Sequence, residues 1–280
     1  MLNRLLNLQF NSSIARAVLS RVYVPGKTYQ IPFGPLRGMK FEYKTEINYH
    51  MVLGIYDPVT IRFMLNVLKR PRFLEHEITV ADVGANVGYY SFIMSRALQS
   101  RGRIDAFEPA PDTFEKLRKN VSLNNLSNIS LHQIACADNT GRMEFYVGWH
   151  HHTSSFVKTW AQGQYAEPVV VNVDAVKLDD FYYANHRSLP QIIKMDIEGG
   201  GVFALKGCSQ LAQKQRPTIL IESHLPAEDA AISEFIINHN YEAMRTDTKE
   251  WVKYKHKIHP HPNGIWGTLL LVPREQVKEY

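Results

Sequence analysis

The sequence predicts a doubly wound α/β fold, with a mostly parallel sheet of seven strands and an antiparallel strand at its edge. From about residue 78 onward, apolar and β-branched runs alternate with stretches of helical character, which implies crossover connections between parallel strands. The runs are also continuously apolar, as expected of strands that helices cover on both faces. Both observations favour a parallel sheet between two helical layers.

The predicted elements follow one another in a regular order. Ile78–Val83 is a buried strand, and a glycine-containing turn leads from it into a helix near residues 88–100. The later elements are strand 103–107, helix 111–124, strands 129–134, 191–195 and 218–221, helix 227–240, and strands 241–245 and 268–272. The last two strands are close in sequence, which favours an antiparallel pair at one edge.

Two segments lie outside this alternation. Residues 1–70 are predicted to form a helical or irregular cap, and residues 71–280 the main domain. About residues 140–175 form an insertion with two strand-like runs around a polar loop. Long connections at the carboxyl edge of such sheets are often functional. We therefore expect this loop to border the acceptor pocket, with Trp149 and Trp160 stacking on a sugar face; a solvated loop without a ligand is the alternative.

Composition and charge exclude several classes of protein. No stretch approaches the ~20 apolar residues of a membrane span, and two distant cysteines indicate a reducing compartment rather than a disulfide framework. We therefore expect a cytoplasmic protein.

The net charge of +5 comes from the segment up to Lys40, which holds six basic residues and no acid. A nucleic-acid partner is not predicted, because the charge does not cover the main domain.

The basic leader leaves three alternatives open. Apolar residues recur at near-helical spacing over residues 2–22, with arginines between them. Such a helix packs on the protein core, lies weakly on an anionic membrane surface, or serves as an organellar transit peptide. The first alternative is favoured, because amphipathic helices commonly pack on a core.

A glycine-rich turn carries the strongest functional signal. The segment from Asp82 to Gly88 follows a strand directly and opens a helix, with Gly84, Asn86 and Gly88 in the turn. Glycines let the backbone approach a ligand closely. Asp82, at the end of the strand, is expected to accept hydrogen bonds from a cationic or amine-bearing ligand.

The next strand ends in a second acid, Glu108, twenty residues beyond Gly88. A carboxylate there is placed to accept hydrogen bonds from both hydroxyls of a ribose. Turn and acid together predict an adenosine-containing cofactor. The turn departs from the G-x-G-x-x-G pattern of dinucleotide sites, and Asp82 would repel a pyrophosphate. S-adenosylmethionine, which carries a sulfonium and an ammonium group but no phosphate, is therefore favoured.

Four motifs resemble the FkbM-type methyltransferase family: Asp82–Ser91, Ala106–Pro109, Ile193–Gly199 and Ala204–Gly207. The resemblance extends from about residue 54 to 272. It implies a Rossmann-like class I methyltransferase fold and O-methylation of a hydroxyl on a sugar, glycan or secondary metabolite. One departure stands out. The family often carries an acid two residues past the glycine of its Asp-Ile-Glu-Gly motif, whereas this chain has three glycines at 199–201.

Other candidate cofactor residues follow from position and resemblance. Asp138, just past the third strand, is placed to accept from the adenine amino group. Tyr56 belongs to a segment, Gly54–Pro58, that resembles the family's entry segment and would lean over the cofactor. Asp57 in that segment is an alternative helix cap.

The acceptor side is predicted at the ends of the fourth and fifth strands. A base that removes the hydroxyl proton is useful in O-methylation. Asp196 or His224 is the expected base, with Glu198 orienting. The alternative is structural: a strand-end acid caps the next helix or pairs with Lys194. No metal site is predicted, although Asp196 with Glu198 could hold a divalent ion.

Two rival functions remain at this point. A nicotinamide-dependent oxidoreductase would keep the fold and Glu108 but lacks the pyrophosphate turn. A non-catalytic protein would bind S-adenosylmethionine without transferring its methyl group. Neither the identity of the acceptor nor the oligomeric state follows from the sequence, because the motifs describe only the donor half of the site.

Overall fold

A computed structural model describes residues 21–43, 49–148, 154–162, 167–252 and 267–280. Two predicted features lie largely outside these residues: the leader helix 2–22 and the loop with Trp149. The side chain of Trp160 is not described either. Among the described residues, no helix is both long and apolar enough to cross a membrane.

The described residues contain twelve strands and nine α-helices. The strands are β1 (Thr28–Gln30), β2 (Lys40–Glu42), β3 (Ile78–Val83), β4 (Gly102–Phe107), β5 (Ile129–His132), β6 (Ala135–Cys136), β7 (Gly141–Val147), β8 (Val169–Val176), β9 (Ile192–Met195), β10 (Thr218–Ser223), β11 (Tyr241–Arg245) and β12 (Gly267–Pro273). The helices are α1 (Tyr49–Leu53), α2 (Pro58–Leu68), α3 (Tyr89–Leu98), α4 (Pro111–Leu123), α5 (Lys158–Gln162), α6 (Leu178–Tyr183), α7 (Gly201–Lys206), α8 (Ser209–Lys214) and α9 (Pro226–His239).

The central sheet has seven strands in the order β11-β12-β10-β9-β3-β4-β5. Neighbouring strands from β10 to β5 pair in parallel, whereas β12 pairs antiparallel with both β10 and β11. The predicted fold class is confirmed, with the antiparallel strand second from the edge. The chain moves outward from β3 through β4 to β5 and then returns to β9 on the other side of β3. Ligands of doubly wound sheets bind at such a reversal.

The apolar strands form two cores, one on each face of the sheet. Side chains alternate between faces along β3, so that Val80 packs with Met64 and Phe92 of α2 and α3. Ala81, on the opposite face, packs in a second cluster with helices that include α8 and α9. This burial on both faces explains why the strands read as continuous apolar runs.

The described part of the N-terminal segment docks on the central domain. β1 and β2 pair as an antiparallel hairpin, and the fully buried ring of Phe41 lies 5.9 Å from the ring of Phe92 on α3. The backbone amides of Lys40 and Glu42 donate to side-chain oxygens of Asn124 and Asn120. Residues 40–42 are therefore held against both α3 and α4.

The connection between β5 and β9 forms a second sheet, in the order β6-β8-β7. Both strand-like runs of the predicted insertion are strands here, namely β7 and β8. The predicted strand 129–134 is too long, because the chain leaves the central sheet after His132. Ala135 then pairs with Ala175 of β8 instead. This departure brings the second sheet to the carboxyl edge of the first.

Candidate active site

An open cavity lies at the carboxyl edge of the central sheet, where β3, β4 and β9 end. Helices α1 and α3 and the second sheet supply the rest of its wall. The cavity brings together six of the residues predicted from the sequence: Tyr56, Gly84, Asn86, Glu108, Asp196 and Glu198. The strand-end residues of three different strands therefore meet in one place.

The turn after β3 follows a path that requires glycine at two points. Gly84 has a φ of +78°, and a Cβ there would lie 2.0 Å from the carbonyl oxygen of Asp196. Gly88 has a φ of +98°, and its Cβ would lie 2.7 Å from side-chain atoms of Leu117 and Phe92. The turn thus packs directly against the end of β9 and exposes backbone at residues 84–87 to the cavity.

Glu108 is a buried carboxylate at the cavity wall. Its Oε2 accepts from the amide of Asn86 at 3.0 Å, and its Oε1 accepts from the amide of Ala110 at 3.0 Å. Burial raises the pKa of Glu108 to about 7, although these two amides and the charge of Lys194 act to lower it. Each oxygen keeps further acceptor capacity, so that the carboxylate can still bind hydroxyl donors in the cavity.

Asp82 lies behind the cavity wall rather than in it. The side chain is fully buried, and its Oδ2 accepts from the hydroxyl of Ser91 at 2.5 Å. Its Oδ1 lies 3.5 Å from Nζ of Lys194. The expected direct contact between Asp82 and a cationic ligand is therefore not supported. The side chain points towards α3 and Lys194 and does not reach the open space.

A group of aromatic residues covers one side of the cavity. The ring of Tyr56 lies edge-on to the ring of Tyr89, 5.4 Å away, and both line the cavity. Tyr90 donates a short hydrogen bond to Asp57, and Lys194 Nζ lies 4.7 Å from its ring centroid. Sequence reasoning missed Tyr89 and Tyr90. Their position in the first turn of α3, directly after Gly88, was the available signal.

Asp57 fulfils the alternative role that the sequence left open. Its Oδ1 accepts from the amide of Thr60 and so caps α2, which begins with Pro58. Its Oδ2 accepts from Tyr90. The one carboxylate thus connects the start of α2 to the start of α3.

Asp196, Glu198 and His224 form a compact cluster at the ends of β9 and β10. The Nε2 of His224 lies 3.5 Å from Oδ1 of Asp196, 3.6 Å from Oε2 of Glu198 and 3.8 Å from Oε1 of Glu222. Glu198 adopts a left-handed conformation with φ of 49°, which L-residues rarely occupy without support from their surroundings. Asp196 and Glu198 line the cavity, whereas His224 does not.

The environment of His224 favours its protonated form. Burial acts to lower the pKa of the imidazole, but the neighbouring carboxylates of Glu228, Asp196, Glu198 and Glu222 outweigh it and raise the pKa to about 9. Of the two bases predicted from the sequence, Asp196 lines the cavity and His224 does not.

The three consecutive glycines make room for a carboxylate from α9. The Oε1 of the fully buried Glu228 accepts from the amide of Gly201 at 2.9 Å, and its Oε2 accepts from the amide of His224 at 2.7 Å. A Cβ on residue 201 would lie 2.7 Å from Oε1 of Glu228. The space beside position 201 thus holds an acid from elsewhere in the chain. Sequence reasoning missed Glu228, because only tertiary packing brings α9 there.

Asp138 does not line the cavity. It follows β6, and its Oδ1 accepts from the side chain of Asn139. Residues 134–136 line the cavity instead, because the chain turns into the second sheet at this point. The predicted contact of Asp138 with an adenine is not supported by this placement.

Comparison with known proteins identifies relatives of the chain. The sequence model of a family described as the methyltransferase FkbM domain matches residues 82–254, more than half of the chain. Methyltransferase 1 of Beauveria bassiana is 22% identical over 61% of this chain and 75% of its own length. The hexuronic acid methyltransferase AglP of Haloferax volcanii is 22% identical over 58% of this chain and 62% of its own length.

Solved structures of similar proteins were also found. The methyltransferase FkbM of Methylobacillus flagellatus KT is 20% identical and has a TM-score of 0.46. The match covers 70% of this chain but 43% of that protein. The chain thus spans less than half the length of this structural relative.

Proposed function

The chain belongs to the FkbM methyltransferase family, and we propose that it transfers the methyl group of S-adenosylmethionine to a hydroxyl oxygen of a sugar, glycan or secondary metabolite. The observation that carries this proposal is one cavity that joins the glycine turn and Glu108 to the carboxylates of Asp196 and Glu198. The glycine turn and Glu108 have the chemistry to bind an adenosine. The carboxylates of Asp196 and Glu198 have the chemistry to bind a hydroxyl group.

The donor would occupy the side of the cavity next to β3 and β4. Glu108 would accept hydrogen bonds from the ribose hydroxyls, and the backbone of Gly84 to Asn86 would contact the cofactor closely. Gly88 would act indirectly by allowing the turn to enter α3, and the ring of Tyr56 would cover the cofactor. The carboxylates at the cavity wall favour a sulfonium and disfavour a diphosphate, since like charges at short range repel.

The transfer needs one proton acceptor beside the hydroxyl. The acceptor oxygen would form a bond to the methyl carbon while the bond from that carbon to sulfur breaks. The electron pair of the broken bond goes to sulfur, which leaves S-adenosylhomocysteine, and the hydroxyl proton goes to Asp196. Glu198 would orient the hydroxyl. Positioning supplies most of the rate enhancement in such in-line displacements.

Lys194, which lines the cavity, and Asp82, which lies behind its wall, would support the reacting groups. Lys194 Nζ lies 3.5 Å from both Asp82 Oδ1 and Asp196 Oδ2. Lys194 would hold the carboxylate of Asp196 towards the cavity, while Asp82 neutralises the charge of Lys194. This arrangement gives Asp82 a positioning role in place of the direct contact expected from the sequence.

A sugar-like acceptor is supported by one relative, whose name gives hexuronic acid as its substrate. The cytoplasm is the proposed location, because Cys136 and Cys208 are both buried thiols rather than a disulfide. Residues 1–70 are proposed as a cap on the methyltransferase domain 71–280, with weak contact to a membrane surface through the leader.

Two measurements test the proposed function. Calorimetry should show binding of S-adenosylhomocysteine and no comparable binding of NAD; tight NAD binding alone would contradict the proposal. Incubation with isotopically labelled methyl donor and pooled glycans and metabolites, followed by mass spectrometry, should reveal a labelled O-methyl product. Binding without any labelled product would favour the non-catalytic alternative.

A further inference from the structure

The cluster of Asp196, Glu198 and His224 has the composition of a metal site. One donor atom from each residue lies within 4.8 Å of the other two. Two of the three separations, from His224 Nε2 to the carboxylate oxygens, are 3.5 and 3.6 Å. Ligands at about 2.1 Å from one ion lie up to about 4.2 Å apart. A cation between the two carboxylates would need to draw them only slightly closer.

The surroundings of His224 provide a second, independent indication. Histidines that ligate metals commonly direct their other ring nitrogen to a carboxylate, which fixes the ring and its tautomer. The Nδ1 of His224 lies 3.7 Å from Oε2 of Glu228, and the same oxygen accepts from the backbone amide of His224. Glu228 is fully buried and is also held by the amide of Gly201. The imidazole thus has a carboxylate behind it and donor oxygens in front.

The charges around the cluster favour a cation. Three carboxylates, from Asp196, Glu198 and Glu222, lie within 3.8 Å of a single imidazole nitrogen. Lys194 contacts Asp196 but is shared with Asp82. A divalent ion at this position would bring two positive charges to these carboxylates, in place of the single proton on the imidazole.

We propose that Asp196, Glu198 and His224 bind a divalent cation such as Mn²⁺, an ion for which carboxylate oxygens are suitable ligands. Binding would displace the proton of the His224 imidazole, because a histidine that ligates a metal is neutral. The inference rests on the proposed function for its role: an ion there would coordinate the acceptor hydroxyl and make its proton easier to remove. The proton still passes to Asp196, whose Oδ2 faces Lys194 rather than His224.

The test is titration of the chelator-treated full chain with Mn²⁺ alone, followed by electron paramagnetic resonance. We expect one ion per chain, and at least about tenfold weaker binding in Glu198→Gln and His224→Ala. Glu234→Gln, which removes a charge from the exposed side of α9, is the matched control and should bind Mn²⁺ as the wild type does. Thermal unfolding shows whether each variant is folded.

The outcomes separate the two proposals. Absence of stoichiometric Mn²⁺ binding, or binding that both ligand variants retain, overturns the metal site. S-adenosylhomocysteine binding measured on the same metal-free protein tests the donor site by itself. A protein that binds the nucleoside but not Mn²⁺ keeps the proposed function and loses the metal site.

Discussion

The Nζ of Lys194 lies 3.5 Å from Oδ1 of Asp82, and both side chains are buried. The pair connects the start of the cofactor turn to the strand that carries Asp196. Breaking a buried ion pair by removing one partner leaves an uncompensated charge. The pair is therefore both a structural contact and the support of the proposed catalytic residue.

Replacement of Lys194 by Met is expected to lower the free energy of unfolding by about 3 kcal/mol, because Asp82 is left buried without its ion-pair partner. Urea denaturation measures the change. Lys119→Met is the control, since Lys119 pairs with Glu42 while half exposed and its loss should cost less than about 1 kcal/mol. Equal effects of the two substitutions would contradict the assigned role of Lys194.

Replacement of Asp196 by Asn should lower kcat by about 10²- to 10⁴-fold, the usual contribution of a positioned base. The affinity for S-adenosylhomocysteine should change little, because Glu108 and the glycine turn provide the proposed donor contacts. Methyl-transfer assays and calorimetry measure the two quantities. Unchanged turnover would remove Asp196 from the role of base.

Binding of S-adenosylhomocysteine should depend on pH through Glu108. Its pKa is about 7 in the ligand-free protein, and an ionised carboxylate accepts hydroxyl hydrogen bonds better than a protonated one. The nucleoside affinity should therefore fall about tenfold from pH 8 to pH 6. Calorimetry at the two pH values measures this, and Glu108→Gln should abolish the dependence. A pH-independent affinity in the wild type would contradict the assignment.

The carboxyl group of Glu108 also makes the stability of the ligand-free protein depend on pH. This dependence has the opposite sign to that of nucleoside binding. A raised pKa means that the folded state holds the proton more tightly than the unfolded state. The contribution of Glu108 is therefore largest below pH 4.5, its ordinary pKa, and is lost as the pH rises towards about 7. Denaturation of Glu108→Gln should lack this component.

Replacement of Gly201 by Ala should destabilise the protein by about 2 kcal/mol, although alanine favours helices more than glycine does. The added Cβ would lie 2.7 Å from Oε1 of Glu228 and displace that carboxylate. Urea denaturation in a Glu228→Ala background is the control, because the conflict is then absent. Equal destabilisation in both backgrounds would show that Glu228 does not fill this space.

The parallel sheet could be predicted because its strands are continuous apolar runs, which can be recognised in the sequence without knowledge of their neighbours. Ile78–Val83 is buried along its whole length, and such a run has few alternative structures. Gly84 and Glu108 were also predictable, since a positive φ and a strand-end acid follow from local position. The end of β5 was not predictable, because the chain leaves the central sheet after His132 to pair Ala135 with Ala175 in the second sheet.

The parts of the site that sequence reasoning missed depend on tertiary packing. Nothing local distinguishes Glu228 from other acids at the start of a helix, and its contacts with Gly201 and His224 arise only when α9 packs on α7. The direction of Asp82 depends on which face of β3 meets α3. In both cases the residue type was informative, but the residues that it contacts could not be predicted from the sequence.

A crystal structure of the chain with bound S-adenosylhomocysteine would show directly whether the cavity is the donor site. Both ribose hydroxyls should lie within hydrogen-bonding distance of Glu108, with the sulfur on the side of the cavity that Asp196 lines. A nucleoside bound elsewhere, or one whose ribose does not contact Glu108, would contradict the proposed donor site.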